Sequence, residues 1–252
     1  MTFDLHKWRG GSEDVLDVNN TLRYSLCVVN LRVFSLLFLP LFAFQAMALR
    51  PTLRLSQGFP EHLRNQMKTD LQKLIEIQGS QSTPLHDKIF GGGIDGELYA
   101  KFFQRRISYV SYRASLSSIF VAAFIPSTRE MIVSNKSLNV PWVLRMGVLI
   151  HEARHADGYG HAKCPSPYLD ENGEAIRSTW TGATLQGKAL CDRTAVGSYG
   201  TEIVFYRNIE RYCTNCTLED SKIAGQEADR LMLRIISPNA KKELEDDFNS
   251  AM

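Results

Sequence analysis

The sequence has almost no excess of charge of either sign. Its 252 residues include 29 lysines and arginines and 27 aspartates and glutamates, which gives a formal net charge of +2. A basic field that would attract nucleic acid is therefore lacking, and no block of like charges indicates an interaction tail. No repeat of fixed period suggests a solenoid. With 44% hydrophobic and 22% charged residues the chain is neither disordered nor fibrous. Length and composition predict a soluble globular protein of one domain or two small ones.

The strongest apolar segment, Val33 to Phe44, is shorter than the roughly 20 residues that a membrane anchor needs. Arg23 and Arg32 precede it, and Ala46-Met47-Ala48 follows it as a small-x-small cleavage pattern. A basic region, a short apolar stretch and such a site are typical of a secretory signal peptide. About thirty residues, including Glu13, Asp14 and Asp17, precede the apolar segment, whereas signal peptides usually have a short basic lead, so we expect the true translation start downstream of Met1.

This interpretation divides the chain into a signal peptide, residues 1–48, and a single mature domain, residues 49–252. The protein is then expected to be secreted or periplasmic, without stable membrane insertion after cleavage. The mature part retains four of the five cysteines. An even number in an exported chain indicates two disulfides, for which three connectivities exist. We favour Cys164–Cys191 with Cys213–Cys216. A redox Cys-x-x-Cys pair or a structural zinc site is the rival, although a second ligand pair for zinc is lacking.

The mature chain has the mixed pattern of an α+β fold. Helices are predicted from Pro60 to about Gly79, from Asp95 to Arg105, from Pro141 to Asp157, and over Tyr199–Tyr212, Glu219–Ile236 and Asn239–Phe248. Strands are predicted over Ile107–Arg113, Ser118–Ile125 and Glu130–Ser134. Loops are predicted at Pro84, at Gly91-Gly92-Gly93 and over residues 163–198. The sequence thus predicts a small mixed sheet followed by a helical C-terminal part.

Residues 151–161 read HEARHADGYGH. His151 and His155 are four residues apart, so a helix projects both imidazoles from one face, where they can bind one Zn²⁺. Glu152 can reach a water there without binding the metal itself. Gly158 can end the helix and allow the chain to return His161 as a third ligand. Three protein ligands leave the fourth zinc position open, as in catalytic sites.

These eleven residues resemble the zinc signature HExxHxxGxxH of the metzincin metallopeptidases. The resemblance implies a zincin-like fold in which the small sheet packs on the active-site helix. It also implies that His151, His155 and His161 are metal ligands and that Glu152 is the general base. A Met-turn is not recognisable, since the first methionine after the motif is Met232. An outlying zincin family is therefore the better description.

Other zincins use a different third ligand. In gluzincins a glutamate from a later helix binds the metal, and Glu202 or Glu227 could serve here. Aspzincins place an aspartate shortly before a Tyr-Gly pair, but Val196 stands at that position before Tyr199-Gly200. His161 is favoured because its spacing suits a return from the helix end.

The predicted activity is zinc-dependent endopeptidase hydrolysis of a peptide or protein by a monomer with one Zn²⁺ per chain. Tyr199 is a candidate donor to the oxyanion, with ordinary packing as the alternative. Asp157, Asp192 and Glu202 are candidates for orienting the imidazoles. The substrate is expected beside an edge strand, Glu130–Ser134. The competing hypothesis is a non-catalytic zinc-binding protein of the cell envelope with the same fold.

Overall fold

The computed structural model describes residues 54–116 and 120–250, so the predicted signal peptide lies outside the described residues. The described chain is a mixed α+β structure, as predicted, and no helix in it is both long and apolar enough to cross a membrane. Its helices are α1 Glu61–Glu76, α2 Pro84–Phe90, α3 Gly96–Gln104, α4 Asn135–Leu138, α5 Trp142–Arg154, α6 Ser198–Tyr212, α7 Leu218–Met232 and α8 Pro238–Ser250.

A three-stranded sheet lies between the first and second groups of helices in the sequence. It consists of β1 Tyr109–Tyr112, β2 Ala122–Ile125 and β3 Glu130–Val133, in the order β1-β3-β2. β3 pairs in parallel with β1 and antiparallel with β2. The prediction that Glu130–Ser134 forms an edge strand is therefore wrong. The richness of this segment in β-branched and aromatic residues identifies the strands, but it carries no information about their order in the sheet.

The core surrounds α5, the helix that carries the first histidines of the motif. Eleven of its thirteen residues are buried, Trp142 and Arg145 being the partly exposed ones. Arg145 joins α5 to α1 through a bidentate ion pair with Asp70, at 2.6 and 2.7 Å. Gly147 permits the close approach of α6, because a Cβ there would lie 2.0 Å from the Tyr206 hydroxyl. The helix is thus fixed on several sides by the core.

Helix α2 differs from the prediction, which placed loops at both of its ends. Thr83 accepts a hydrogen bond from the backbone N–H of His86, and Pro84 occupies the first helical position. Gly91 ends the helix in the left-handed conformation, at φ +92°. Proline and glycine therefore mark the start and end of a seven-residue helix here, which is the usual asymmetry of helix termini. Helix α4 was also not predicted.

The segment between the motif and α6, predicted as one long loop, contains a short ribbon. β4 Ala162–Lys163 pairs antiparallel with β5 Ala189–Cys191. The disulfide Cys164–Cys191 joins the two strands of the ribbon, and Cys213–Cys216 joins the end of α6 to the start of α7. Both preferred pairings are confirmed. The predicted C-terminal helices are also present, and α7 ends earlier than expected, at Met232.

Candidate metal centre

The motif folds as a helix followed by a tight return of the chain. His151 lies in the last turn of α5, and His155 begins a 3₁₀ turn that extends to Asp157. Gly158 ends this turn at φ +87°, a left-handed conformation that favours glycine. The chain then reverses into β4, directly after His161. The predicted helix end and the predicted return of the third histidine are both present.

The three histidines lie together. One ring nitrogen from each of His151, His155 and His161 falls within a group whose members are all within 4.8 Å of one another. The Nε2 atoms of His151 and His161 are 3.1 Å apart. Two imidazoles bound to one tetrahedral zinc at the usual bond lengths would place their nitrogens about 3.3 Å apart. The spacing therefore fits a common metal ion.

Carboxylates hold the far sides of two of these rings. His151 Nδ1 is 3.0 Å from a carboxylate oxygen of Glu202, and His161 Nδ1 is 2.8 Å from one of Asp192. Both carboxylates are almost completely buried. An ionised carboxylate only accepts hydrogen bonds, so an Nδ1 that faces one donates its hydrogen, and Nε2 of the same ring keeps a lone pair. Burial and the charge of Glu227 raise the pKa of Glu202 well above 4.5, so His151 takes this form when Glu202 is ionised, which a bound cation favours. This tautomer is the one in which Nε2 can bind a metal.

The third ring is held by the main chain. His155 Nδ1 donates to the carbonyl oxygen of Tyr159, and the Ser198 hydroxyl lies 3.1 Å from the same nitrogen. In consequence, all three histidines have their Nδ1 atoms engaged. When both carboxyl groups are ionised, the lone pairs of His151 and His161 face each other across 3.1 Å, an arrangement that a shared cation stabilises. The donor set therefore fits a metal ion.

Burial favours the neutral, metal-binding form of these rings. It lowers the pKa of His151 well below the usual value of 6.5, with further lowering by the charges of His161 and His155. Burial also lowers the pKa of His155, and the neighbouring His161 adds to this effect. Protons therefore compete weakly for these two nitrogens at neutral pH.

Glu152 lies beside the cluster rather than in it. It is buried, and one of its carboxylate oxygens is 4.0 Å from His155 Nε2. Desolvation raises the pKa of Glu152 from 4.5 to about 8. A carboxyl group with such a pKa can both accept and donate a proton near neutral pH.

Tyr199 also belongs to the cluster. Its ring stacks on that of His161, with centroids 4.7 Å apart, and meets that of His151 edge-on at 4.4 Å. Its hydroxyl accepts a hydrogen bond from Arg234 at 2.7 Å. Burial raises the pKa of Tyr199, whereas the charge of Arg234 lowers it. The phenol therefore keeps its proton and is free to donate it.

Arg234 was not identified from the sequence. A weak signal existed, because this arginine interrupts the apolar run from Leu231 to Ile236. It is buried, and its guanidinium also lies 4.6 Å from the centre of the Tyr199 ring. A buried arginine in an apolar segment needs a polar partner, but the sequence does not show which one.

The other candidate residues take different places. Glu202 holds the far side of His151, so its carboxylate lies behind that ring rather than among the three facing nitrogens. Glu227 accepts a hydrogen bond from the Trp180 indole at 2.7 Å. Asp157, considered for orienting an imidazole, instead pairs with Arg106 and Arg154.

The histidine cluster opens into a cavity of about 920 Å³. The cavity is also lined by Phe120, Val121 and the β2 residues Ala122, Ala123 and Phe124. One side of β2 pairs with β3, and within the described part of the chain no strand pairs with its other side. The edge strand at the site is therefore β2, in place of the predicted Glu130–Ser134.

Comparisons of the chain with protein-family models, with curated proteins and with solved structures find no match.

Proposed function

We propose that the chain is a zinc-dependent peptidase of zincin-like fold that acts outside the cytoplasm. The observation that carries this proposal is the convergence of three imidazole nitrogens, with Glu152 beside them, at the wall of an open cavity. Two disulfides agree with an oxidising compartment. His151, His155 and His161 would hold the ion and leave its fourth position open.

Zinc at this site would supply a Lewis acid and a water of lowered pKa, near 7. The Glu152 carboxylate accepts a proton as the water oxygen bonds to the scissile carbonyl carbon. It then donates that proton to the amine nitrogen as the C–N bond breaks.

Tyr199 is placed to stabilise the oxyanion of the tetrahedral intermediate. Because Arg234 donates to the phenolic oxygen, the phenolic hydrogen remains available to a substrate in the cavity. The positive charge of Arg234 also makes the phenol a stronger donor. An extended peptide would lie along the unpaired side of β2, where main-chain hydrogen bonds can align it independently of its sequence.

Metal analysis of the purified protein and a peptidase assay together test this proposal. We expect near one zinc per chain in the wild type, loss of the metal in His161→Ala, and retained metal with weakened binding in Glu202→Gln. Hydrolysis of a peptide library should disappear in Glu152→Ala, although this variant keeps its zinc.

Two results would contradict the proposal. A wild-type protein that binds no metal would exclude the metallopeptidase. Stoichiometric zinc without any hydrolysis, in wild type as in Glu152→Ala, would favour the non-catalytic zinc-binding protein instead.

A further inference from the structure

Three arginines line one end of the cavity. Arg105 and Arg106 follow α3, and Arg129 lies in the turn between β2 and β3. The two segments are joined by hydrogen bonds. Arg129 Nε donates to the Arg106 carbonyl oxygen at 2.9 Å, and the N–H of Ser108 donates to the Arg129 carbonyl oxygen at 2.9 Å. We refer to Arg105, Arg106 and Arg129 as the arginine cluster.

The positive charge of this cluster is only partly neutralised. Arg106 shares the carboxylate of Asp157 with a further arginine, Arg154, at 2.8 and 2.6 Å. Among the described residues, the side chains of Arg105 and Arg129 have no carboxylate partner. Asp157 is therefore the one carboxylate paired with the arginine cluster, and it is shared with Arg154, which does not line the cavity.

The acid next to Arg129 in the chain does not neutralise the cluster. Glu130 follows Arg129 in the chain, but its carboxylate accepts hydrogen bonds from the hydroxyls of Tyr109 and Ser111 on β1. β1 lies across β3 from β2, the strand that lines the cavity. The carboxylate of Glu130 is thus directed toward β1, away from β2.

The backbone at Arg129 is also unusual. Its φ is +53°, and among the described residues it is the one non-glycine position with positive φ. The left-handed conformation is unfavourable for a residue with a long side chain, and positions of this kind often have functional roles. Here it occurs in the turn that brings the third guanidinium to the cavity.

The cluster stands in a fixed relation to the proposed reaction centre. Asp157, which pairs with Arg106, is two residues from His155, and Arg129 lies in the turn that joins β2 to β3. A peptide extended along β2 would therefore pass the histidines and reach the arginines at the Ile125 end of the strand. Because an extended strand rises about 3.3 Å per residue, the peptide group that contacts the arginines lies a few residues from the scissile bond.

We propose that the arginine cluster is an anionic subsite, which selects peptides that carry a carboxylate a few residues from the cleaved bond. This inference rests on the proposed peptidase function and specifies its substrate class. Guanidinium groups bind carboxylates through paired, charge-assisted hydrogen bonds. Acidic side chains and a free terminal carboxylate offer the same chemistry, so the test has to separate them.

Binding to zinc-loaded Glu152→Gln protein, which cannot turn the ligand over, tests the subsite directly. Three tetrapeptides with blocked amino ends are compared by calorimetry. The first consists of four glutamates and the second of four glutamines, both with an amidated carboxyl end. The third consists of four glutamines with a free carboxyl end. We expect the glutamate peptide to bind about tenfold tighter than the amidated glutamine peptide, with a difference that shrinks at high salt. Tighter binding of the third peptide would identify the terminal carboxylate as a ligand.

The double substitution Arg105→Gln and Arg129→Gln is then added to the Glu152→Gln protein. It should reduce the preference for the glutamate peptide over the amidated glutamine peptide to about twofold or less. Both side chains are exposed, so the fold is expected to persist. Lys68→Gln with Lys222→Gln is the matched control, because it removes two exposed charges that do not line the cavity. This control should keep the full preference.

Equal binding of all three peptides, or a preference that survives the double arginine substitution, would overturn the proposal. Failure of the proposed function gives a different result. In that case neutral peptides are not hydrolysed by the wild type, whereas the arginine-dependent preference for carboxylates remains measurable.

Discussion

Asp192 connects a proposed metal ligand to the start of a helix. One of its carboxylate oxygens accepts from His161 Nδ1 at 2.8 Å, and the other accepts from the backbone N–H of Tyr199 at 2.7 Å. The carboxylate therefore orients the imidazole and also satisfies one of the free N–H groups at the beginning of α6.

We predict that Asp192→Asn lowers zinc affinity by about 10- to 100-fold, because the amide orients His161 less firmly and makes its ring a weaker ligand. Competition with a chromophoric chelator measures the affinity. Asp157→Asn is the control, since its carboxylate pairs with arginines instead of a histidine. If both variants lose affinity equally, Asp192 has no specific positioning role.

His86 is a second buried residue whose role depends on its protonation. The neutral ring donates from Nδ1 to the Gly92 carbonyl oxygen at 2.9 Å and accepts at Nε2 from the Tyr99 hydroxyl at 2.7 Å. Desolvation lowers the pKa of His86 from 6.5 to about 4. Between these two pH values the unfolded chain binds a proton that the folded chain does not.

The contribution of His86 to the free energy of unfolding should therefore be complete above pH 6.5 and decline as the pH falls toward 4. The total loss is about 3 kcal/mol. Urea unfolding of the wild type and of His86→Gln at several pH values measures the contribution as a difference, in which the other histidines cancel. A difference that stays constant from pH 7 to pH 4 would contradict this prediction.

At the scale of single elements, the two disulfides have different expected consequences. Cys164–Cys191 closes the ribbon of β4 and β5, which begins next to His161 and ends next to Asp192. Cys213–Cys216 spans only the connection between α6 and α7. The chain-entropy model assigns about 3.5 kcal/mol to the longer loop and about 2 kcal/mol to the shorter one.

Replacing both cysteines of the ribbon by serine should thus reduce zinc affinity as well as stability, because His161 and Asp192 are no longer held together. The same replacement at Cys213 and Cys216 should reduce stability alone. Chelator competition and thermal unfolding of both double variants distinguish the effects. Equal zinc affinities in the two variants would show that the ribbon does not position the third histidine.

The local parts of the structure could be predicted from the sequence, whereas the pairing of distant segments could not. The spacing of His151 and His155, and the glycine at 158, depend on one helix and its end, so pattern reasoning was sufficient. The central place of β3 depends on which strands pair, which no local pattern records. Helix α2 was missed because Pro84 and Gly91 are equally typical of loops and of helix ends.

The same distinction applies to the site. Asp192 and Glu202 bond to histidines that are 31 and 51 residues away in the chain, and Arg234 bonds to Tyr199, 35 residues away, so these partners are evident only in the fold. The sequence makes Asp192 and Glu202 candidates for orienting the imidazoles without ranking them, and it gives only a weak reason to select Arg234. Burial of a charged group is a property of the whole packing, which residue type alone does not determine.

The whole molecule should be stabilised by the metal, because the three proposed ligands join α5 to the ribbon and the site forms only in the folded chain. At a free zinc concentration about 1,000 times the dissociation constant, binding adds about 4 kcal/mol to the free energy of unfolding. For a chain of this size, that corresponds to a rise in Tm of about 10 °C.

Thermal unfolding with zinc and after dialysis against a chelator measures this stabilisation. The wild type should show the full shift, and Glu152→Gln should show it too, since Glu152 lies beside the ligands and does not complete the set. His161→Ala should unfold at nearly the same temperature in both conditions. A shift of equal size in His161→Ala would mean that zinc acts elsewhere on the protein, and that the three histidines are not its binding site.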